Sequence, residues 1–270
     1  SKTPRNWALW AAMLMLAAGV IVALVDAPRL IKRARGGVVS PQRAFSYAAY
    51  GAPLALALGV DLIVQTIARF LLTHQAGAAS LGAYAAAFGL ARPLDIVFIG
   101  AGAALSPLIL TAFEQHGRDA ARAEARKAFT LLAALAVPAA VGLAFVATPL
   151  SALMIGESLR AETARALPWL AFAGLISGFN LYYWSEAFQL TRRTGLRALL
   201  MLAPGAVQLA LTFMLAPAWG AQGAAIAAAA GAGLGAVLLA LVGQRLIALP
   251  VAWGALARIG ASTALMAGAL

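Results

Sequence analysis

The chain has 270 residues, of which 63% are hydrophobic and only 11% charged, with a formal net charge of +11. So few charges cannot cover the surface of a soluble domain of this length, whereas the apolar runs reach the roughly 20 helical residues that cross a bilayer. An ordinary soluble enzyme is thereby excluded in favour of an all-α, polytopic transmembrane helical bundle, and the lack of cysteine excludes disulfides and thiolate metal sites.

In chain order, candidate spans fall at roughly 7–25, 47–72, 80–112, 129–148, 165–188, 197–216, 220–243 and from about 256 onward. A cationic apolar segment follows Ser1 at once, but no A-x-A pattern leads from it into a soluble domain, so residues 1–25 read as a helix and not as a signal peptide. The chain stops inside an apolar run at Gly268-Ala269-Leu270, and both ends read as cut from a longer protein. Residues 26–44 are basic and interrupted by Gly36-Gly37 and Pro41, which suits a linker along the cytoplasmic surface. The 80–112 stretch carries Pro93 and Pro107, which predict a kink or tilt. Residues 114–128 mix acids and bases and predict a short interfacial helix lying on anionic lipid. Residues 149–165 read as an external loop with a short surface helix, and the glycines of 231–235 as a site of close helix approach.

The loops differ in charge. One alternating set holds Arg29, Lys32, Arg33, Arg35 and Arg43, then Arg118, Arg122, Arg126 and Lys127, then Arg192, Arg193 and Arg197, then Arg245 and Arg258. The opposite set holds only Lys2, Arg5, Arg160 and Arg165. Cytoplasmic loops carry the Lys/Arg excess, so the first set is expected inside, giving eight spans with the last incomplete. Topology accounts for the net charge without a nucleic-acid partner.

Catalytic constellations are missing from the sequence. His74 and His116 fall in loops expected on opposite sides of the membrane, and no H-E-x-x-H, phosphate-binding P-loop or G-x-S-x-G motif occurs. Neither an enzyme nor a cofactor or metal is therefore expected. The polar residues within the spans are more informative, because an ionised side chain at mid-bilayer costs at least roughly 2.5–3.5 kcal/mol unless it faces protein or water. Asp61, Gln65 and Arg69 repeat at four-residue intervals and share one helical stripe. They form either an intrahelical network or part of a cavity wall. Arg92 and Asp95 flank Pro93 near the middle of their span, either as an ion pair or as a cationic group that holds a phosphate. Glu186, near the inner end of a later span, could carry a coupling ion, but its proximity in sequence to Arg192 and Arg193 favours the interface.

The run D-L-I-V-Q-T-I-A-R-F-L-L from residue 61, followed by A-G-A-A-S-L-G-A-Y-A-A-A-F-G-L-A-R-P, resembles the oligosaccharide flippases of the polysaccharide-export family. These belong to the multidrug/oligosaccharidyl-lipid/polysaccharide exporter superfamily. Ser106-Pro107 and A-P-A-W-G-A-Q-G-A-A-I-A at 216–227 add to a resemblance that covers roughly residues 45–250. It implies that residues 1–25 are the last helix of a truncated first lobe, 45–245 the second six-helix lobe, and 246–270 a cytoplasmic loop with the start of an additional helix. It also implies alternating access at a cationic cleft in the cytoplasmic membrane, moving a glycan linked to a pyrophosphate-bearing carrier lipid. Arg69 and Arg92 would face that cleft with Asp61, Gln65 and Asp95 beside them. An ion-coupled multidrug exporter and an integral-membrane glycan polymerase or acyltransferase are the competing expectations.

Overall fold

A computed structural model describes the backbone over residues 41–269 and the side chains over 59–268. The helix expected over 7–25 and the linker before residue 41 lie outside the described residues. The chain divides into two compact units, Ser1–Ala49 and Tyr50–Leu270. Of the first, only the opening turns of a helix fall among the described residues; the fold and the site belong to the second.

The elements are α1 (Pro41–Ala91), α2 (Pro93–Phe145), α3 (Ala147–Met154), α4 (Glu157–Phe179), a π-helical turn (Asn180–Trp184), α5 (Glu186–Leu190), α6 (Thr194–Leu246) and α7 (Trp253–Ala269). No strand occurs among the described residues. Helices α2 and α6 have 53 residues each, which would extend about 80 Å if straight. They are not straight. α1, α2 and α6 fold back at Gly77, Gly117 and Gly220, whose φ angles are 86°, 82° and 52°. Only glycine enters that region without a Cβ penalty, so three single residues act as hairpin turns. Across them, residues far apart in sequence meet. Arg69 reaches the Phe88 ring at 5.4 Å, where a straight helix would hold them roughly 28 Å apart. Leu94 and Ala140 share one buried cluster across the Gly117 turn. A Cβ on Gly231 would lie 3.0 Å from the Pro204 carbonyl oxygen across the Gly220 turn.

The resulting segments, 41–76, 78–116 with a break at Arg92, 118–154, 157–190, 194–219, 221–246 and 253–269, run up and down. Contacts sort their ends. The Gly77 and Gly220 turns meet the start of α4, where Thr163 donates to the Ala83 carbonyl at 3.3 Å and the Ala221 N–H donates to Glu162 at 2.7 Å. The opposite end gathers the Gly117 turn, residues 191–193 and the extended segment 247–252. There Ala121, Ala125, Phe129, Tyr183, Ile247 and Leu249 belong to one buried cluster, and the Tyr183 hydroxyl donates to the Pro250 carbonyl at 2.7 Å. A second cluster, including Leu72, Ala83, Leu167 and Ala221, fills the first end. Leu94, Ala140 and Ala171 form a smaller third cluster.

Alanine and glycine let these helices approach closely. Gly178 lies under the Phe98 ring, and Gly102 under Tyr182, so each of two packed segments accepts an aromatic ring from the other. Phe98 and Tyr182 stack at 6.2 Å between centroids. The close approach expected at 231–235 is present: a Cβ on Gly235 would lie 3.1 Å from Asn180 Nδ2.

Two regions differ from their sequence reading. Residues 114–128 are not a separate surface helix but continue from one long segment, through the Gly117 turn, into the next. Ala121, Ala125, Ala128, Phe129 and Leu132 are buried at helical intervals, so the charged residues are simply its outer face. Residues 149–165 are helical in α3 and α4 apart from a short extended step at Ile155 and Gly156. The kink expected at Pro93 is present: Arg92 keeps helical φ/ψ, the Pro93 ring opens α2, and the Asp95 N–H bonds back to the Arg92 carbonyl at 2.9 Å in a tight turn.

Helices α2 and α6 are long and apolar enough to cross a membrane. Only 33% and 28% of their most apolar windows are buried. The core helix of a soluble protein would be mostly enclosed. Here Phe213, Met214, Leu241 and Leu265 are each more than half exposed, which suits an apolar solvent.

Candidate functional site: a polar stripe on an apolar bundle

The hairpin turned at Gly77 sets the level of the first group of polar residues. At 1.5 Å per residue, Asp61 lies roughly 24 Å from that turn along one arm, Arg92 roughly 22 Å along the other, and Arg69 roughly 12 Å. Asp61 and Arg92 are therefore nearly level on neighbouring segments. Gln65 donates from Nε2 to Asp61 Oδ2 at 3.2 Å. Arg69 does not continue that chain: its guanidinium lies over the ring of Phe88, which stacks on Tyr84 one turn earlier. Phe88 is one helical turn before Arg92, so Arg69 and Arg92 belong to one continuous strip across the two arms. Arg92 is 71% exposed in its side chain, and its Nε lies 4.0 Å from Asp95 Oδ2. That is the outer limit of an ion pair, and it leaves the rest of the guanidinium open.

Glu186 lies elsewhere. Expected at the interface beside Arg192 and Arg193, it is instead only 3% exposed, and the Ser106 hydroxyl donates to its Oε1 at 2.7 Å. The π-helical turn immediately before it builds a second polar node. The Ser185 N–H and hydroxyl both donate to the Asn180 carbonyl, at 3.2 and 2.5 Å. Asn180 Nδ2 donates to the Ala232 carbonyl at 2.9 Å, and Arg197 Nε donates to Ser185 Oγ at 2.6 Å. Asp61, Gln65 and Arg69 thus lie on one arm of the hairpin and Arg92 and Asp95 on the other, whereas Glu186 is tied to Ser106.

Sequence reasoning missed Ser106 and Arg197. Ser106 entered only as part of the Ser106-Pro107 resemblance, and the helix continues through it. Arg197 read as one more loop cation, but its side chain is half-buried and hydrogen-bonded inward. A serine facing a glutamate eighty residues later leaves no local pattern. An arginine opening a helix by a basic loop looks like any cytoplasmic charge.

Chemically the strip offers the exposed Arg92 guanidinium, a group type suited to anionic oxygens, with Asp95 near enough to restrain it. No curated protein and no solved structure matches the chain. The family described as polysaccharide biosynthesis protein matches residues 6–161, more than half of the chain and including Asp61, Gln65, Arg69, Arg92 and Asp95. The chain belongs to the polysaccharide biosynthesis protein family.

Proposed function

We propose that the chain is part of an exporter that moves a lipid-linked oligosaccharide, of the undecaprenyl-pyrophosphate type, across the cytoplasmic membrane for surface polysaccharide assembly. In this reading the apolar segments cross the inner membrane several times, and residues 45–245 form one lobe of a two-lobed transporter. A facing lobe closes a cleft over the Asp61–Arg92 strip. No bond is made or broken; the protein alternates access between the two sides.

The observation that carries this reading is the open Arg92 guanidinium, 71% exposed far from either end of an apolar bundle. A charged group in that position cannot face lipid without a penalty of roughly 2.5–3.5 kcal/mol or more, so it suits a water-filled cleft. Arg69 on the neighbouring arm extends the cationic lining towards the Gly77 turn. A pyrophosphate bridging the two would replace hydration with charge-assisted hydrogen bonds. Family membership supports the polysaccharide part of the reading.

The test is complementation of an export-deficient strain with the whole gene. Surface glycan should return, and Arg92→Ala should abolish it at normal protein levels. If Arg92→Ala and Arg69→Ala both leave export intact, the cationic cleft is wrong.

A further inference from the structure

At the end of the bundle that carries the Gly117 turn, a groove of about 840 Å³ runs between the 118–145 segment and the extended chain at Pro250. Its lining changes along its length. Arg122, Arg126 and Lys127 occupy the part nearest the turn, and Leu131 and Ala134 continue one to two turns further along the same helix. From Arg126 to Ala134 the rise is roughly 12 Å; the groove surface is mainly apolar, so the basic residues line it with their aliphatic stems alongside Leu131 and Ala134.

The cations are not all used. Arg122 reaches Asp119 through one terminal nitrogen at 3.3 Å, and its side chain stays 40% exposed. Lys127 pairs with Glu124 at 2.6 Å. Arg126 is exposed and makes no ion pair among the described residues. Leu131 is 46% exposed in the trough. An exposed, unpaired Arg126 beside the partly exposed Arg122 suits an anionic oxygen ligand. The apolar continuation calls for a hydrocarbon chain attached to it.

We propose that this groove binds an anionic phospholipid, its phosphodiester on Arg122 and Arg126 and one acyl chain along Leu131, Ala134 and Pro250. Charge complementarity and the polar-to-apolar order choose this occupant. A free phosphate leaves the trough empty, and a neutral lipid leaves the arginines unanswered. The groove is separate from the proposed cleft: Arg126 and Arg92 differ by roughly 25 Å in level along the bundle. The lipid is a structural ligand that fixes the 247–252 connection against the helix, not the transported molecule.

The experiment is native mass spectrometry of the full chain released from nanodiscs of mixed phosphatidylglycerol and phosphatidylcholine. Retained phosphatidylglycerol is counted for the parent, for Arg126→Gln, for Arg122→Gln/Arg126→Gln, and for the control Arg192→Gln/Arg193→Gln. The control removes two charges at the same end but outside the groove lining. Selective retention of phosphatidylglycerol is expected, weakened on the order of fivefold for each groove arginine removed and unchanged in the control. Arg126→Gln alters an exposed, unpaired side chain and keeps the test readable if the double variant unfolds. Equal retention in the groove variants and the control overturns the proposal. So does displacement of the lipid by inorganic phosphate at similar concentration, because the site would then be reading phosphate alone. Export by the Arg92→Ala variant is a separate readout, so either proposal can fail without the other.

Discussion

Ser106 and Glu186, from segments 78–116 and 157–190, meet through a hydrogen bond of 2.7 Å in which the hydroxyl donates to the carboxyl oxygen. Glu186 is buried, so this one donor carries much of its polar satisfaction. Ser106→Ala should leave the buried acid unanswered and lower stability by about 1–3 kcal/mol. Glu186→Gln keeps an acceptor oxygen opposite the hydroxyl and should cost less. Denaturant unfolding of the two variants in micelles ranks them; the reverse order would show that Ser106 is dispensable to the acid.

The Arg69–Phe88 contact is expected to matter through its ring face. Phe88→Leu keeps apolar volume but removes the quadrupole under the guanidinium, a loss of about 0.5–2 kcal/mol. Phe88→Tyr should be nearly neutral. The comparison is a double-mutant cycle with Arg69→Gln read by thermal unfolding, and a coupling energy near zero would mean the pair merely touches.

At the Gly77 end, Glu162 supports the turn of α6. Its Oε1 accepts the Ala221 N–H at 2.7 Å, at the start of the segment that follows Gly220. Glu162→Ala should cost about 1 kcal/mol by removing the cap, and Glu162→Gln only the smaller charge–dipole part. Gly220→Ala should be worse than either. A methyl there would collide with the Glu162 carboxylate and Ser80, and would force a φ of 52° on a residue with a side chain. Folded yield after extraction gives the order.

Gly178→Ala tests the ring-on-glycine packing. The added methyl would run into the Phe98 ring, which is itself 1% exposed and has little room to withdraw. A loss of about 1–3 kcal/mol is expected from overpacking. A second change, Phe98→Leu, should recover part of it, and unfolding midpoints of the single and double variants decide the matter.

The sequence carried the helix class and the approximate position of each apolar segment, because hydropathy and spacing are local properties. It carried the Asp61–Gln65 pairing for the same reason, since residues four apart on a helix face one another. The destination of Arg69 was not legible: its partner Phe88 lies across a turn made by one glycine, and no local rule distinguishes Gly77 from the many other glycines. Glu186 misled in the opposite direction. Its nearest neighbours in sequence are basic and interfacial, while its partner Ser106 lies on a segment that arrives beside it only through tertiary packing.

The π-helical turn at Asn180–Trp184 also decides where the end of the chain's fourth long segment points. Such a turn holds one residue more than an α-helical one, which rotates everything beyond it by about 100°. The inward aim of Glu186 is therefore a matter of counting: it depends on how many residues precede it as much as on which they are. Deleting a single residue between 180 and 184 would swing the carboxylate out of the interior without altering any side chain that touches it. Variation in length at this point should be tolerated far less than variation in residue type.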